Sequence, residues 1–198
     1  IDVIAREDKI LKYLDIPLQH CNDKILKKMN RRGDKKYLCA LLDKLRERIP
    51  GLVLRTSIIA GLPGEGEEEF DELCDFLREQ KLLRAGVFPY SPEEGTRAAK
   101  MERVDSDEAA RRAERIVDIQ SEIIDAWNDE RQGDVMEVLC EGFDGQSMLF
   151  VGRSYAESPD IDGRIYFSAP RDVAAGEFVP VRITGAMDGE LTGELAEE

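Results

Sequence analysis

Residues 58 to 70 read IIAGLPGEGEEEF. An apolar run halts at a Gly-Pro-Gly turn and passes into an acid-rich stretch, the pattern of a strand feeding a helix through a tight loop. Such a junction aims backbone N–H groups outward at a helix N-terminus, where a small ligand can be held. A phosphate loop would need GxxxxGK[ST], whose lysine and hydroxyl meet phosphate and magnesium. Here there is no lysine, and Glu65, Glu67, Glu68 and Glu69 together would repel a polyphosphate. A GxGxxG dinucleotide fingerprint is also absent. Two readings stay open: a tight turn before a well-capped helix, or a strand end whose backbone meets a neutral or zwitterionic nucleotide-like ligand.

Two other stretches share this character. In DIPLQHC, Asp15 to Cys21, Pro17 sits near a strand end, and Gln19 and His20 follow where a loop begins. Gln19 could hydrogen-bond a ligand amine or ribose. His20 is the single histidine, a type more often structural than ligating. VFPYSPEEGT supplies a third strand end with Phe88, Tyr90 and Ser91. No Ser/His/Asp or Cys/His triad can be assembled from these residues. Cys21, Cys39, Cys74 and Cys140 have no CxxC or CxxxCxxC spacing, so the expectation is no metal site and free thiols in a reducing cytoplasm.

The elements that must position these residues follow from periodicity. LKYLDIPL is short and apolar, and Asn22 or Asp23 can cap a helix through KILKKMN. Leu38, Leu41, Leu42, Leu45 and Ile49 recur at helical spacing, and Pro50-Gly51 ends that helix. LVLRTSIIA predicts a buried parallel strand. EEEFDELCDFLREQ predicts a helix with Phe70, Leu73, Cys74 and Leu77 on one face, and RAGVFPYS the next strand. Strand and helix alternating through short loops predict parallel βαβ units, whose β-to-α loops all open on one side. Asp105 and Glu108 resemble a capping box for a long helix carrying Ala109, Ala113, Ile116, Val117, Ile123, Ile124 and Trp127, which Gly133 stops. Beyond it DVMEVLCEGF, QSMLFVGRS, GRIYF, EFVPVRITGA and GELTGEL are five short alternating segments, predicting a small antiparallel barrel. The expected division is 1–132 and 133–198. The chain opens on Ile1, and IDVIARED reads like the tail of a helix, so a C-terminal piece of something longer is expected. No apolar run is long enough for a membrane span, so no membrane partner is expected.

Charge is unevenly placed. The chain holds 28 Lys and Arg against 42 Asp and Glu, but residues 133–198 hold 14 acids, four arginines and no lysine. A barrel of that balance is ill-suited to nucleic-acid phosphates. It suits a basic protein partner; the alternative reading is that acidity serves only solubility.

YLDIPLQHCNDKILKKMNRRG, LRTSIIAGLPGEGEEEFDELCDFL and RAGVFPYSPEEGT resemble the C-terminal half of the radical S-adenosylmethionine barrel of the methylthiotransferases. The final segment resembles their TRAM domain. VGRSYAESPDIDGRIYF, EFVPVRITGA and LTGE resemble the branch that methylthiolates an aspartate of a small-subunit ribosomal protein, rather than the tRNA-modifying branch. The fold class this implies is part of a radical SAM (β/α) partial TIM barrel at 1–132, followed by a five-stranded TRAM (OB-like) barrel at 133–198. The resemblance implies an S-adenosylmethionine site at the three strand ends, with a sulfonium zwitterion that acids do not exclude. Ile59 would line the adenine, Gly61 would let the backbone approach it, and Pro63 and Gly64 would shape the turn. Gln19 and Arg55 would take the ribose and the amino-acid end, and Arg55 on an apolar strand fits this, since a guanidinium there needs a carboxylate. Phe88 and Tyr90 would close the pocket. Glu157, Asp160 and Asp162, in the turn AESPDIDG, would dock a basic small-subunit ribosomal protein as exposed, neighbouring carboxylates, with no direct tRNA binding. Family members hold two 4Fe–4S clusters on six cysteines in CxxxCxxC and N-terminal sets that this sequence lacks, so the chain alone is expected to be inactive. A tRNA methylthiotransferase and a non-catalytic protein-binding module remain the rival readings.

Overall fold

The computed structural model describes residues 1–196; the last two positions of the predicted 133–198 segment lie outside the described residues. The chain forms two compact units, Ile1–Ile123 and Ile124–Glu198.

In the first unit the elements run α1 (Asp2–Arg6), β1 (Tyr13–Asp15), α2 (Asp23–Lys28), α3 (Lys35–Arg48), β2 (Val53–Ala60), α4 (Glu67–Gln80), β3 (Arg84–Pro89) and α5 (Ser106–Glu130), whose last residues belong to the second unit. The three strands pair in parallel in the order β1-β2-β3. Alternation along β2 sends Leu54, Thr56, Ile58 and Ala60 into the core and leaves Arg55, Ser57 and Ile59 half-buried on the opposite face. Helices cover the first face: Leu38, Leu42 and Leu45 of α3, Phe70, Leu73 and Leu77 of α4, and Ile116 and Ile119 of α5 join one cluster with Ile58. Each such side chain contributes about 1.5–3 kcal/mol by leaving water.

Local signals set the boundaries. Asn22 Oδ1 accepts from the N–H groups of Lys24 and Ile25, and Asp34 Oδ1 from Tyr37, so both helices begin where a capping side chain stands. The Glu69 carboxylate turns back to accept from the Gly66 N–H at 2.8 Å. At α5 the arrangement differs from the predicted capping box. Asp105 accepts from the Asp107 N–H, but Glu108 is drawn away by the Arg111 and Arg112 guanidinium groups. Val117 is exposed, whereas the polar Arg112 and Gln120 are buried on the same stripe as Ala113 and Ile116.

The second unit is a closed five-stranded barrel, β4 (Val135–Asp144), β5 (Leu149–Arg153), β6 (Ile165–Ser168), β7 (Phe178–Met187) and β8 (Glu190–Leu195), in the order β4-β5-β6-β8-β7. Four pairings are antiparallel, and the barrel closes through a parallel β6–β8 pair. Closure removes the open edges that a sheet this small would present. Val138, Cys140, Ile165, Phe167, Val179, Val181, Ile183 and Leu191 fill it. Among the described residues no helix is long and apolar enough to cross a membrane.

Candidate functional site

The carboxyl ends of the three parallel strands lie side by side, so the loops that follow them share one end of the sheet, the usual ligand side of an open α/β arrangement. The chain after β1 keeps pairing with β2: the Ile16 N–H donates to the Arg55 carbonyl, the Gln19 N–H to Ser57, and the Ile59 N–H back to Gln19. Gln19 is held at a left-handed φ of 71°, an unfavourable conformation for a residue with a side chain. Beyond β2 the Tyr90 N–H donates to the Ala60 carbonyl at 2.8 Å. Gln19, the turn at Gly61–Gly64 and Tyr90 are thereby tied to the end of β2.

Arg55, Ser57 and Ile59 share a face with Gly86 and Phe88 of β3 by register. A Cβ on Gly86 would lie 3.2 Å from the Phe88 ring and 3.4 Å from the Arg55 guanidinium, so these three converge. Phe88 is 53% exposed. Arg55 pairs with the Asp15 carboxylate across the β1–β2 register.

The turn itself has an internal organiser. Glu65 is fully buried, not a solvated member of an acidic run. Its carboxylate accepts from the Gly61 N–H at 2.9 Å, approaches the Leu62 N–H at 3.4 Å, and meets Arg112 Nη1 at 2.9 Å. Its second oxygen faces His20 Nε2 at 3.4 Å. His20 Nδ1 accepts from the Asn22 N–H at 3.0 Å, so the ring proton sits on Nε2, toward Glu65. Burial by itself raises the Glu65 carboxyl, but the nearby His20 ring and hydrogen bonds from Arg112 and the Gly61 N–H outweigh it and hold the group below its ordinary range. Burial likewise depresses Arg112, and the Glu65 and Glu108 carboxylates reverse that. The amides that a phosphate would need are occupied by the protein's own carboxylate, so the phosphate-loop reading fails on geometry.

The two glycines of the turn have packing reasons. At Gly61, φ is +81° and a Cβ would fall 2.4 Å from Ala109 Cβ of α5; at Gly64, φ is +86° and a Cβ would fall 1.7 Å from Lys28 Nζ. Gly61, Leu62 and Pro63 are buried, and Gly64 is half-buried.

Fit to the two implied groups differs. The Tyr90 hydroxyl is buried and has no hydrogen-bond partner among the described residues, an orphan at the strand-end side of the sheet that a ligand heteroatom would satisfy. With Gln19, the half-buried Arg55 and Ile59, and the exposed Phe88, it suits an adenine-bearing zwitterion. For an iron–sulfur cluster the fit is absent: among the described residues no three His, Cys, Asp or Glu groups come together to hold a metal. Cys21, Cys74 and Cys140 are buried and Cys39 half-buried, and burial pushes all four thiols up.

In the barrel, one prediction is corrected. Glu157 is buried, not exposed: it accepts from the Ser154 N–H at 2.8 Å and the Ser154 hydroxyl at 2.6 Å. The connection from β5 to β6 folds back on itself, with Asp162 half-buried and accepting from the Ser158 N–H. Of Glu157, Asp160 and Asp162 only Asp160 is exposed, so the three do not present a shared solvent-facing carboxylate surface. Arg153 is paired with Glu141 at 2.8 Å.

Sequence reasoning passed over Glu65, Arg112 and Asp15 as functional neighbours. The available signal was Arg112, a guanidinium set three residues after Ala109 and four before Ile116 on an apolar stripe.

A parallel sheet with ligand-side loops, followed by a closed five-stranded barrel, defines a class, and comparison with known families agrees. Residues 1–77 match the radical SAM superfamily and residues 133–196 the TRAM domain, so the chain joins part of a radical SAM domain to a TRAM domain. The particular proteins it is similar to are ribosomal protein uS12 methylthiotransferases named RimO. That of Acetivibrio thermocellus is 43% identical over 100% of this chain and 44% of its own length. The Pelotomaculum thermopropionicum protein is 47% identical over 98% of this chain and 44% of its own, and the Symbiobacterium thermophilum protein 45% over 100% and 41%. The chain spans under half the length of these curated relatives.

Proposed function

We propose that this chain, as residues 1–132 and 133–198, supplies the S-adenosylmethionine-facing strand ends and the substrate-docking barrel of a cytoplasmic methylthiotransferase that modifies an aspartate of ribosomal protein uS12. The observation that carries the reading is the similarity to uS12 methylthiotransferases, which covers 98–100% of the chain and so takes in both units. Gln19 and Arg55 bind the ribose and the amino-acid end, Ile59 packs on the adenine, and Gly61, Pro63 and Gly64 shape the wall of the site. Phe88 shields the ligand from water, and the Tyr90 hydroxyl donates to it. Asp15 fixes the Arg55 guanidinium so that its remaining N–H groups face the ligand. When bound, S-adenosylmethionine supplies the methyl group and the means of activating a C–H bond. The cysteines of this chain do not come together to hold a cluster among the described residues.

The acidic barrel docks the basic protein substrate. With Glu157 committed internally, exposed carboxylates such as Glu137, Asp160, Asp172, Asp188 and Glu194 carry the attraction. Exposed charges raise encounter rate more than affinity. The test is a chimera in which this chain replaces the matching region of the Acetivibrio thermocellus relative. After anaerobic reaction, the mass of uS12 should increase by one methylthio group at a single aspartate. An active chimera that modifies tRNA and leaves uS12 unchanged would overturn the assignment.

A further inference from the structure

The chain is acidic overall, yet one stretch is not. Residues 23–36, DKILKKMNRRGDKK, carry seven bases and two acids. Neither acid neutralises the bases through an ion pair. Asp23 accepts from the Lys35 N–H at 2.7 Å, and Asp34 caps α3 through the Tyr37 N–H at 2.7 Å. Two of the bases are paired, Lys24 with Glu69 at 2.6 Å and Lys35 with Glu72 at 3.2 Å. Lys27, Lys28, Arg31, Arg32 and Lys36 are exposed and make no ion pair among the described residues.

Helix stability does not explain them all. Lys27 and Lys28 end α2, where a cation favours the helix dipole. Lys36 sits in the first turn of α3, where a cation opposes the helix dipole that the Asp34 cap favours. Arg31 and Arg32 lie in the connecting loop, which is ordered by the Asp23 bond and by left-handed Asn30 and Gly33.

An aromatic ring stands among these cations. Tyr37 is 56% exposed, and its ring lies against Gly33, where a Cβ would be 2.7 Å from the ring edge. Glycine there leaves the space that the ring occupies, with Arg32 and Lys36 as the chain neighbours of Gly33 and Tyr37. Exposed cations around a fixed, solvent-facing aromatic match what a single nucleic-acid strand requires: charge for the phosphates and a platform for a base. The nearest acids are already engaged, Asp23 and Asp34 by backbone N–H groups and Glu69 and Glu72 by Lys24 and Lys35, and a Debye length of about 8 Å at physiological salt screens those farther away.

We propose that residues 27–37 form a binding patch for single-stranded RNA. Lys27, Lys28, Arg31, Arg32 and Lys36 hold the backbone phosphates, and Tyr37 stacks on one base. Lys28 Nζ reaches the Gly64 turn, so the strand runs past the ligand-side loops of the sheet. The inference goes beyond the methylthiotransferase reading and does not depend on it.

The experiment is fluorescence anisotropy of the whole chain with a labelled RNA of about 12 nucleotides, titrated from about 50 to about 200 mM salt. Five phosphate contacts at about 0.7 each predict a slope of log K against log salt of about −3.5. Arg31→Gln with Arg32→Gln should flatten the slope by about 1.4 units, whereas Lys44→Gln, outside the patch, should leave it unchanged. Tyr37→Ala should weaken binding about tenfold at every salt concentration with the slope unaltered, and Tyr37→Phe should retain it. Circular dichroism melts confirm that each variant is folded. Absence of binding, a slope indifferent to the arginine pair, or competition by poly-glutamate as effective as that by unlabelled RNA would overturn the proposal. The last outcome would assign the patch to an acidic protein.

Discussion

Replacing Glu65 tests whether the ligand-side turn is organised from within. The carboxylate is fully buried, and the Arg112 side chain it faces at 2.9 Å is 9% exposed. Glu65→Ala leaves a buried guanidinium without its inner partner and the Gly61 N–H without an acceptor. Removing one member of a buried pair costs about 3–5 kcal/mol. Arg112→Met strands Glu65 in the same way and should cost about 3 kcal/mol. The double variant Glu65→Ala, Arg112→Met removes both charges and should cost less than the sum of the two single losses by about 2 kcal/mol or more. Urea unfolding followed by circular dichroism gives all four corners of the cycle. The pH dependence has a definite sign. The folded carboxyl sits below its ordinary value of 4.5, so its contribution is complete above that value and is lost as pH falls through the lower folded value. Wild type and Glu65→Ala should therefore converge in stability as pH falls below 4.5 and through that lower value. Strictly additive losses, or a Glu65→Ala variant within about 0.5 kcal/mol of wild type, would refute the idea that this network holds the turn.

Gly61→Ala should destabilise the first unit by about 2–3 kcal/mol, because a left-handed φ and the Ala109 contact act together; the same unfolding assay reads it. Glu157→Gln should cost about 1–3 kcal/mol by weakening the buried bonds to Ser154, whereas Asp160→Asn should leave stability unchanged. Comparable effects at the two positions would contradict the corrected placement of Glu157. After anaerobic treatment with iron and sulfide, the chain alone should form no 5′-deoxyadenosine from S-adenosylmethionine, read by chromatography, since its thiols do not converge.

The order of elements was legible because each boundary is written locally: Asn22 and Asp34 as caps, Pro50-Gly51 as a stop, alternation along Val53–Ala60. The strand-end positions of Gln19, Gly61 and Tyr90 followed from parallel topology alone. What could not be read was which polar residue faces inward. Glu65 stands in a run of acids, and only the three-dimensional arrival of His20 and Arg112 makes its burial tolerable. Composition treated Glu157 like its neighbours in AESPDIDG, yet it folds under them onto Ser154. The parallel β6–β8 closure was equally hidden, because a strand's own alternation is the same whichever way its neighbour runs.

The most direct measurement is the footprint of S-adenosylmethionine on the isotope-labelled chain by amide NMR. The account predicts saturable shifts at Gln19, Arg55, Ile59, Gly61, Phe88 and Tyr90, weakened by Tyr90→Phe, with the barrel amides unmoved. No shift at saturating ligand, or shifts confined to residues 133–196, would contradict it.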